Sequence, residues 1–420
     1  MTTTPRYPTL NRPHGAPAAR PVQSWPAGRG AGIRDSTVRE LCDSVFDSLT
    51  RRDQRRKAEV YLRGLLCAPG RKSMRNIAAR TGDRNAEQSL QHFISCSTWE
   101  WAPVRAAHAR HLEQLIRPVA WVVRPMTIPK AGRHSVGVEP RYVPRLGQLV
   151  NSQQAYGVWL AAPDASSPAA WRLQISARWL EDGERRRRAD IPEGLTATTP
   201  EQCAGDAVAD LARFPGLRRR PVVLDLGEPG TGEAYRRVQA AGLPALARIR
   251  GDMPVIAESA LLTGYADGPA SARRVAEAAR TLQRPVDWFD PASGIVRTSL
   301  VAAVPVLSLP PRPSGTGHRA AARPATLLAE WPADRPGPAA CWITDLVGLH
   351  APALLRMTKL VRQVDHGFAA ISDRVGIRDF EGRSFQGWHR HTTLASVAHT
   401  ARLTETHGLL SQDFTSAYGS

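Results

Sequence analysis

A chain of 420 residues, 42% of them hydrophobic, is long enough to bury a large core and to hold two or three domains. Its 56 Lys and Arg against 38 Asp and Glu give a formal charge of +18, which favours a polyanionic partner such as nucleic acid, although an Arg-, Ala- and Pro-rich chain with so few lysines is also what GC-rich coding produces. Five scattered cysteines with no C-x-x-C pair argue against a disulfide framework or structural zinc site and fit a reduced cytosol, and no apolar run approaches the ~20 residues of a membrane span.

Residues 1–32, rich in Pro and Thr and without the apolar core of a signal peptide, read as a disordered tail. Residues 33–117 read as a small all-α domain. Val38, Leu41, Val45 and Leu49 recur at helical spacing within Thr37 to Leu65. Ser73 to Thr98 reads as two short helices about a Thr81-Gly82-Asp83 turn, with Ile77 and Ala78 facing Leu90, Phe93 and Ile94. A helix from Val104 to Ile116 completes a helix-turn-helix-like outline.

From Ala120 the pattern becomes α/β. Strands are expected at Ala120 to Val123, Gly157 to Leu160 and Arg172 to Ile175, then a helix at Gly205 to Phe214. A buried strand, Pro221 to Leu226, a helix, Gly232 to Ala240, and a strand, Ala245 to Ile249, follow. This β-β-β-α-β-α order is that of an RNase H-like mixed sheet, whose first and fourth strands lie side by side. Residues 118–251 would form its first part. Residues 252–350 would be a β-rich insertion with strands at Thr298 to Pro305, Thr326 to Trp331 and Ala340 to Ile343. Residues 351–405 would supply the last helices, including Leu354 to Arg374, and residues 406–420 a tail.

Several motifs in one order resemble the DDE transposases of insertion sequences, particularly the insertion-sequence 701 group, related to the Tyr-Arg-Glu-Lys-motif branch. The segment Trp121 to Val138 is similar to the family's W-V-I-D-D-T-G-F-P-K-x-G-x-H-S-V-G-V, keeping Trp121, Val122, Pro129, Lys130, Gly132 and His134 to Val138. Where the family has Asp-Asp it carries Arg124 and Pro125. Asp225, in VVLDLGEPG, matches the family's second aspartate. KLVRQVDHGFAAIS ahead of GIRDFEGRS places Asp365 at the family's catalytic glutamate, with Thr358, Val361 and Ser372 at the other signature positions. The resemblance spans roughly residues 50 to 400. It implies an N-terminal helical DNA-binding module, double-stranded DNA as partner with no membrane association, action as a homodimer, and a place on the nucleoid in a bacterial cytoplasm.

In this family three carboxylates hold two Mg²⁺ ions, which activate the attacking oxygen and stabilise the leaving one. Asp225 and Asp365 are therefore the candidate catalytic and metal-binding residues, with the alternative that Asp225 is a loop or capping residue and Asp365 a solvated helical charge. Arg124 places a permanent cation at the degenerate first position, where it is expected to pair with Asp225, with Asp365 as a second partner, and to exclude metal. Asp365 is one methylene shorter than glutamate, which withdraws its oxygens by about 1.5 Å where sites need roughly 0.5 Å precision. Glu139 and Glu228 are candidate surrogate ligands. Lys130, Arg133, His134, Arg185, Arg186, Arg187, Arg188 and Arg383 are candidate DNA contacts, the arginine run being equally readable as a solvated face. Asn151, Gln153 and the W-H-R-H segment Trp388 to His391 also match family positions. The expectation is a DNA-binding, catalytically impaired descendant. The alternatives are an active transposase with an atypical ligand set and a protein repurposed for a small molecule or protein partner in the old cleft.

Overall fold

The structure, a computed structural model, describes residues 33–83, 85–143, 147–227, 231–258, 262, 268–309, 322–332 and 337–417, with side chains in the last helix through Thr406. The expected tail at 1–32, Glu228 and most of the Pro/Gly-rich loop near 310 lie outside the described residues.

Five helices come first: α1 (Asp35–Phe46), α2 (Arg52–Cys67), α3 (Met74–Ala78), α4 (Ala86–Ser95) and α5 (Trp101–Ile116). The sheet begins with β1 (Ala120–Pro129), β2 (Glu139–Val143), β3 (Gln148–Ala161) and β4 (Ser166–Leu173). Next come α6 (Ala177–Glu181), α7 (Gly183–Arg188), α8 (Pro200–Ala212), β5 (Val222–Leu224), α9 (Thr231–Ala240) and β6 (Ala245–Ile249). The insertion supplies β7 (Pro254–Ala257), β8 (Ala270–Ser271), α10 (Ala272–Ala278), β9 (Arg284–Asp290), β10 (Ile295–Ser308), β11 (Arg323–Trp331) and β12 (Ala340–Thr344). The chain closes with α11 (Ala351–Gly367), a π-helical turn (Phe368–Ser372) and α12 (Phe385–Ala417).

Among the described residues the strands form one mixed sheet in the order β2-β3-β1-β5-β6-β12-β11-β10-β7-β8, with β4 on β3 and β9 on β10. β1 runs parallel to β5 through Trp121↔Val222 and Val123↔Leu224, and β5 parallel to β6. Both faces are covered. Val122, Val223 and Leu246 enter one core, while Trp121, Val123, Val222, Leu224 and Ala247 enter the other, the period-2 alternation of a strand with apolar residues at every position. The insertion continues this sheet, because β12 pairs antiparallel with the outer edge of β6.

Several boundaries differ from expectation for identifiable reasons. β1 runs past Arg124 and Pro125 to Pro129, since pairing with β3 continues after β5 has been left behind. Pro125 thus sits where one side of the strand has no neighbour to which an N–H would be donated. α8 begins five residues early at Pro200, behind a Thr199–Gln202 capping box that the sequence does display. α11 ends at Gly367, where a Cβ would come within 3.0 Å of Ser166 Oγ, and the chain widens into the π turn. α12 runs to Ala417, beyond the expected boundary at 405, with no proline to stop it.

The buried face of α12 is unusually polar. His391 Nε2 donates to Gly376 O at 2.9 Å, leaving Nδ1 to accept from Tyr61 Oη–H on α2, also 2.9 Å. His399 Nε2 donates to Ser166 O on β4 at 2.9 Å, and Nδ1 accepts from Ser372. His108 of α5 bonds Thr400 Oγ1 at 2.7 Å. Arg105, fully enclosed, donates to Thr393 Oγ1, Trp171 O and His389 O at 2.7, 2.6 and 3.1 Å and makes no ion pair among the described residues. This seam ties the N-terminal helices, the sheet and the segment after α11 to one helix.

Burial lowers the seam histidines below their ordinary value of 6.5, His108 to about 3 and His391 and His399 to about 4. They are neutral when folded and become protonated near 6.5 when unfolded, so their stabilising contribution is present above about pH 6.5 and lost as pH falls towards 4. Urea midpoints measured from pH 7.5 to 4.5 should fall steadily below about 6.5, each histidine adding up to about 1.4 kcal/mol per pH unit to the slope, and His399→Gln should flatten it. Arg105→Met should lower stability by about 1.5–3 kcal/mol, since it removes charge-assisted bonds to Trp171 O and Thr393 Oγ1, while His389 O keeps the hydroxyls of Thr392 and Thr393. An unchanged urea midpoint would show that guanidinium desolvation offsets those bonds.

Candidate active site

The parallel strands β1 and β5 pack beside α11, and three of the expected site residues lie on these elements and at their ends. Arg124 follows the last β1 residue registered with β5. Its Nε donates to Asp365 Oδ1 at 2.9 Å, Nη1 donates to Pro125 O at 3.0 Å, and the guanidinium lies 3.6 Å from the centre of the Phe368 ring. The π turn after Gly367 is what presents Phe368 at this point. Burial pulls Arg124 below the usual guanidinium value, and Asp365 opposes that pull. Arg124 is largely enclosed while Asp365 is 57% exposed, so the pair itself is worth only about 0–1 kcal/mol. The ring contact adds about 0.5–2 kcal/mol.

Asp225 is not Arg124's partner, contrary to the expectation from neighbouring strands. Its Oδ2 accepts from Arg248 Nη1 at 3.1 Å, from β6 on the far side of β5. The reason is reach: Arg124 extends to α11 and its aromatic ring, and β6 offers its own arginine. Gly227, at φ +73°, turns the chain away immediately beyond this carboxylate. Asp225 and Asp365 therefore each hold a different arginine.

The residues expected at signature positions on α11 and in the π turn have other engagements. Thr358 Oγ1 donates to Leu355 O at 2.7 Å, and Ser372 Oγ bonds His399. Lys359 meets Glu330 at 2.5 Å and lies 4.4 Å from the Trp288 ring, while Arg362 approaches the buried Asp290 at 3.4 Å and the same ring at 5.3 Å. Asp290 is held down in its charge-bearing form chiefly by Ser293 and Arg297, against the opposing effect of burial. Two carboxylates of the insertion thus fasten α11 beside the site. Neither these nor Arg248 stands out in the sequence, because each is matched only by a partner remote along the chain.

This donor set does not fit a two-Mg²⁺ centre. Such a site needs closely spaced oxygen ligands from several carboxylates, and among the described residues no three His, Cys, Asp or Glu side chains come together. Arg124 stands where the first ligand was expected, and Asp365 and Asp225, the other two expected ligands, are each paired with an arginine. Glu139 is on β2, two strands away from β1 and about 14 Å across the sheet from β5 at normal strand spacing. It is engaged by Ser176 and Arg141.

The candidate DNA contacts converge from three segments. Val136 N donates to Arg383 O at 3.2 Å and Phe385 N to Ala189 O at 2.7 Å, joining the turn after β1, the approach to α12 and the end of α7. Gln153 buttresses the turn by donating to Val136 O at 2.8 Å, and Asn151 O accepts from Lys130 N at 2.8 Å. Lys130 is inward, donating to Phe380 O at 2.5 Å, and burial, then Arg71, pushes its ammonium down to about 8. Arg185 lies over Trp179 beside Asp182, Arg186 binds the Pro192 and Glu193 carbonyls, and Arg188 pairs with Glu184. Arg133, Arg187 and Arg383 are exposed and make no ion pair among the described residues, and His134, next to Arg133 in sequence, is also exposed. In W-H-R-H, His389 stacks on Trp101 and His391 is engaged by Tyr61, so they serve packing.

The chain has no helix long and apolar enough to cross a membrane among the described residues. No curated protein matches it at a significant level. Residues 44–304, from α1 into β10 and including Arg124 and Asp225, match the family model described as DDE superfamily endonuclease. The match covers more than half of the chain, and the protein belongs to the DDE superfamily endonuclease family.

Proposed function

We propose that this protein is a DNA-binding descendant of a DDE transposase of the insertion-sequence 701 group in which metal-dependent strand cleavage is impaired, acting on the nucleoid DNA of a bacterial cytoplasm. The strand order β4-β3-β1-β5-β6, with β1 and β5 adjacent and parallel, supports an RNase H-like sheet as its frame. One observation carries the reading of impairment. Where the first acidic ligand would stand, the Arg124 guanidinium lies against Phe368 and bonds Asp365, so a fixed positive charge occupies the neighbourhood that two divalent cations would need. Arg248 neutralises the other acid. The exposed, unpaired arginines Arg133, Arg187 and Arg383 supply a surface for phosphate contacts, which fix position on a duplex without reading its sequence.

Two measurements test the reading. In Mg²⁺ the unaltered protein should not nick a terminal-repeat duplex, whereas Arg124→Asp combined with Asp365→Glu should recover nicking that Asp225→Ala abolishes again. Nicking by the unaltered protein that disappears in Asp225→Ala would overturn the impairment. Duplex binding followed by fluorescence anisotropy should weaken steeply with salt. Replacing Arg133, Arg187 and Arg383 together by Ala should reduce the slope of log affinity against log salt by about 3; an unchanged slope would place the phosphate contacts elsewhere.

A further inference from the structure

A cavity of about 1100 Å³ lies away from the candidate active site, between α2 and the α3–turn–α4 unit. One face of α2 forms a wall. Arg52, Arg56, Lys57, Val60 and Gly64 repeat at spacings that keep them on one side of the helix. Gly64 is required there because a Cβ would collide with Ile77, which sets how closely α3 approaches. The facing wall comes from Arg80, Thr81, Ala86, Ser89 and Leu90.

The cations and anions of this groove are not balanced. Asp53 is taken by Arg51 at 3.0 Å, and Asp83 caps its own turn by accepting from Asn85 N at 2.8 Å. Arg63 is paired with Asp35 at 2.6 Å and with Glu59 at 2.9 Å. Arg52, Arg56 and Lys57 make no ion pair among the described residues, and Arg80 donates only to Cys67 O at 3.2 Å.

We propose that this groove docks an acidic, amphipathic helical segment of a partner protein, an activity that goes beyond the DNA-binding reading, whose phosphate contacts are assigned to Arg133, Arg187 and Arg383; because the groove lies in the helical module that the resemblance links to DNA, a duplex is the competing occupant. Carboxylates at i, i+4 on such a helix match the Arg52–Arg56 ladder, and small aliphatic side chains match Val60, Ala86 and the arginine stems, the helix-in-groove mode of recognition. A nucleic-acid strand is a poorer occupant: no aromatic ring lines the groove among the described residues, so bases have no stacking platform. A second copy is disfavoured by the +18 charge of the chain.

The full chain, carrying Cys96→Ser so that Cys67 remains the exposed thiol lining the groove, is titrated with a fluorescent helical peptide of repeated Glu-Ala-Leu-Leu-Glu-Ala-Leu heptads, which keep glutamates at i, i+4 on one face, about 18 residues long to span α2. Saturable binding is expected, with at least tenfold weaker binding of the peptide's Gln counterpart and of the double variant Arg56→Glu, Lys57→Glu. The peptide should also protect Cys67 from alkylation by a maleimide. Equal affinity for the Gln peptide, binding without protection of Cys67, or no saturable binding would overturn the proposal. So would a DNA duplex that displaces the peptide and loses affinity equally in the double variant, which would assign the groove to nucleic acid. Arg56 is exposed, Lys57 is half-buried, and neither makes an ion pair among the described residues, so the fold is expected to survive their replacement, checked by an unchanged thermal melt. The Arg133, Arg187 and Arg383 surface is untouched, so failure here is separable from failure of DNA binding.

Discussion

Everything in this molecule is hung on the polar seam of α12. A helix buried on an apolar stripe slides and rotates at modest cost, whereas one whose inward side chains must each find a specific donor or acceptor has a single register. Tyr61 from α2, Arg105 and His108 from α5, Ser166 from β4 and Ser372 from the π turn all answer to side chains of α12. The cost is desolvation of a guanidinium and several imidazoles, which the structure meets by keeping the imidazoles neutral and giving Arg105 several acceptors. The same seam fixes the π turn, and through it the position of Phe368 under Arg124.

The candidate site follows from that placement. A strand that runs on past its parallel neighbour delivers Arg124 to the face of α11. The residue before the π turn is a glycine, where a Cβ would press to 3.0 Å on the Ser166 hydroxyl of β4. Arg124 then finds one carboxylate and one aromatic face, while the other carboxylate is taken from across the sheet by Arg248. The electrostatics are those of a closed set of local pairs, where a nuclease of this family would concentrate uncompensated negative charge.

How much of this was legible in the sequence depends on the range of the interaction. The Thr81-Gly82-Asp83 turn and β6 come from local pattern and the adjacency of the β1 and β5 segments from the order of elements, and the structure places them as read. The motif order from Trp121 to Ser384 pointed to the family that the matching of residues 44–304 shows. What could not be read were choices between partners. Asp225 had two arginines within the reach of neighbouring strands, and nothing in VVLDLG selects Arg248 over Arg124. The Trp288, Asp290 and Glu330 clamp on α11 is likewise invisible, because its members are separated by tens of residues and meet only when the insertion folds back. The early start of α8 was a different kind of miss, since its capping box is written in Thr199 to Gln202.

The continuity of the sheet through β6 and β12 has a consequence for how this chain can change. A strand edge left bare offers its unpaired N–H and C=O groups to any other chain, and proteins protect such edges or aggregate. Here the insertion is the cover for β6, through Ile249↔Cys341 and Leu246↔Thr344. Its own strands continue the ladder out to β8, only two residues long. Excising residues 252–350 as though they were a detachable module would expose the central sheet as a template for strand addition. The segment is therefore under constraint as a boundary even where it has no chemistry to perform, and sequence drift there is limited by solubility before it is limited by function.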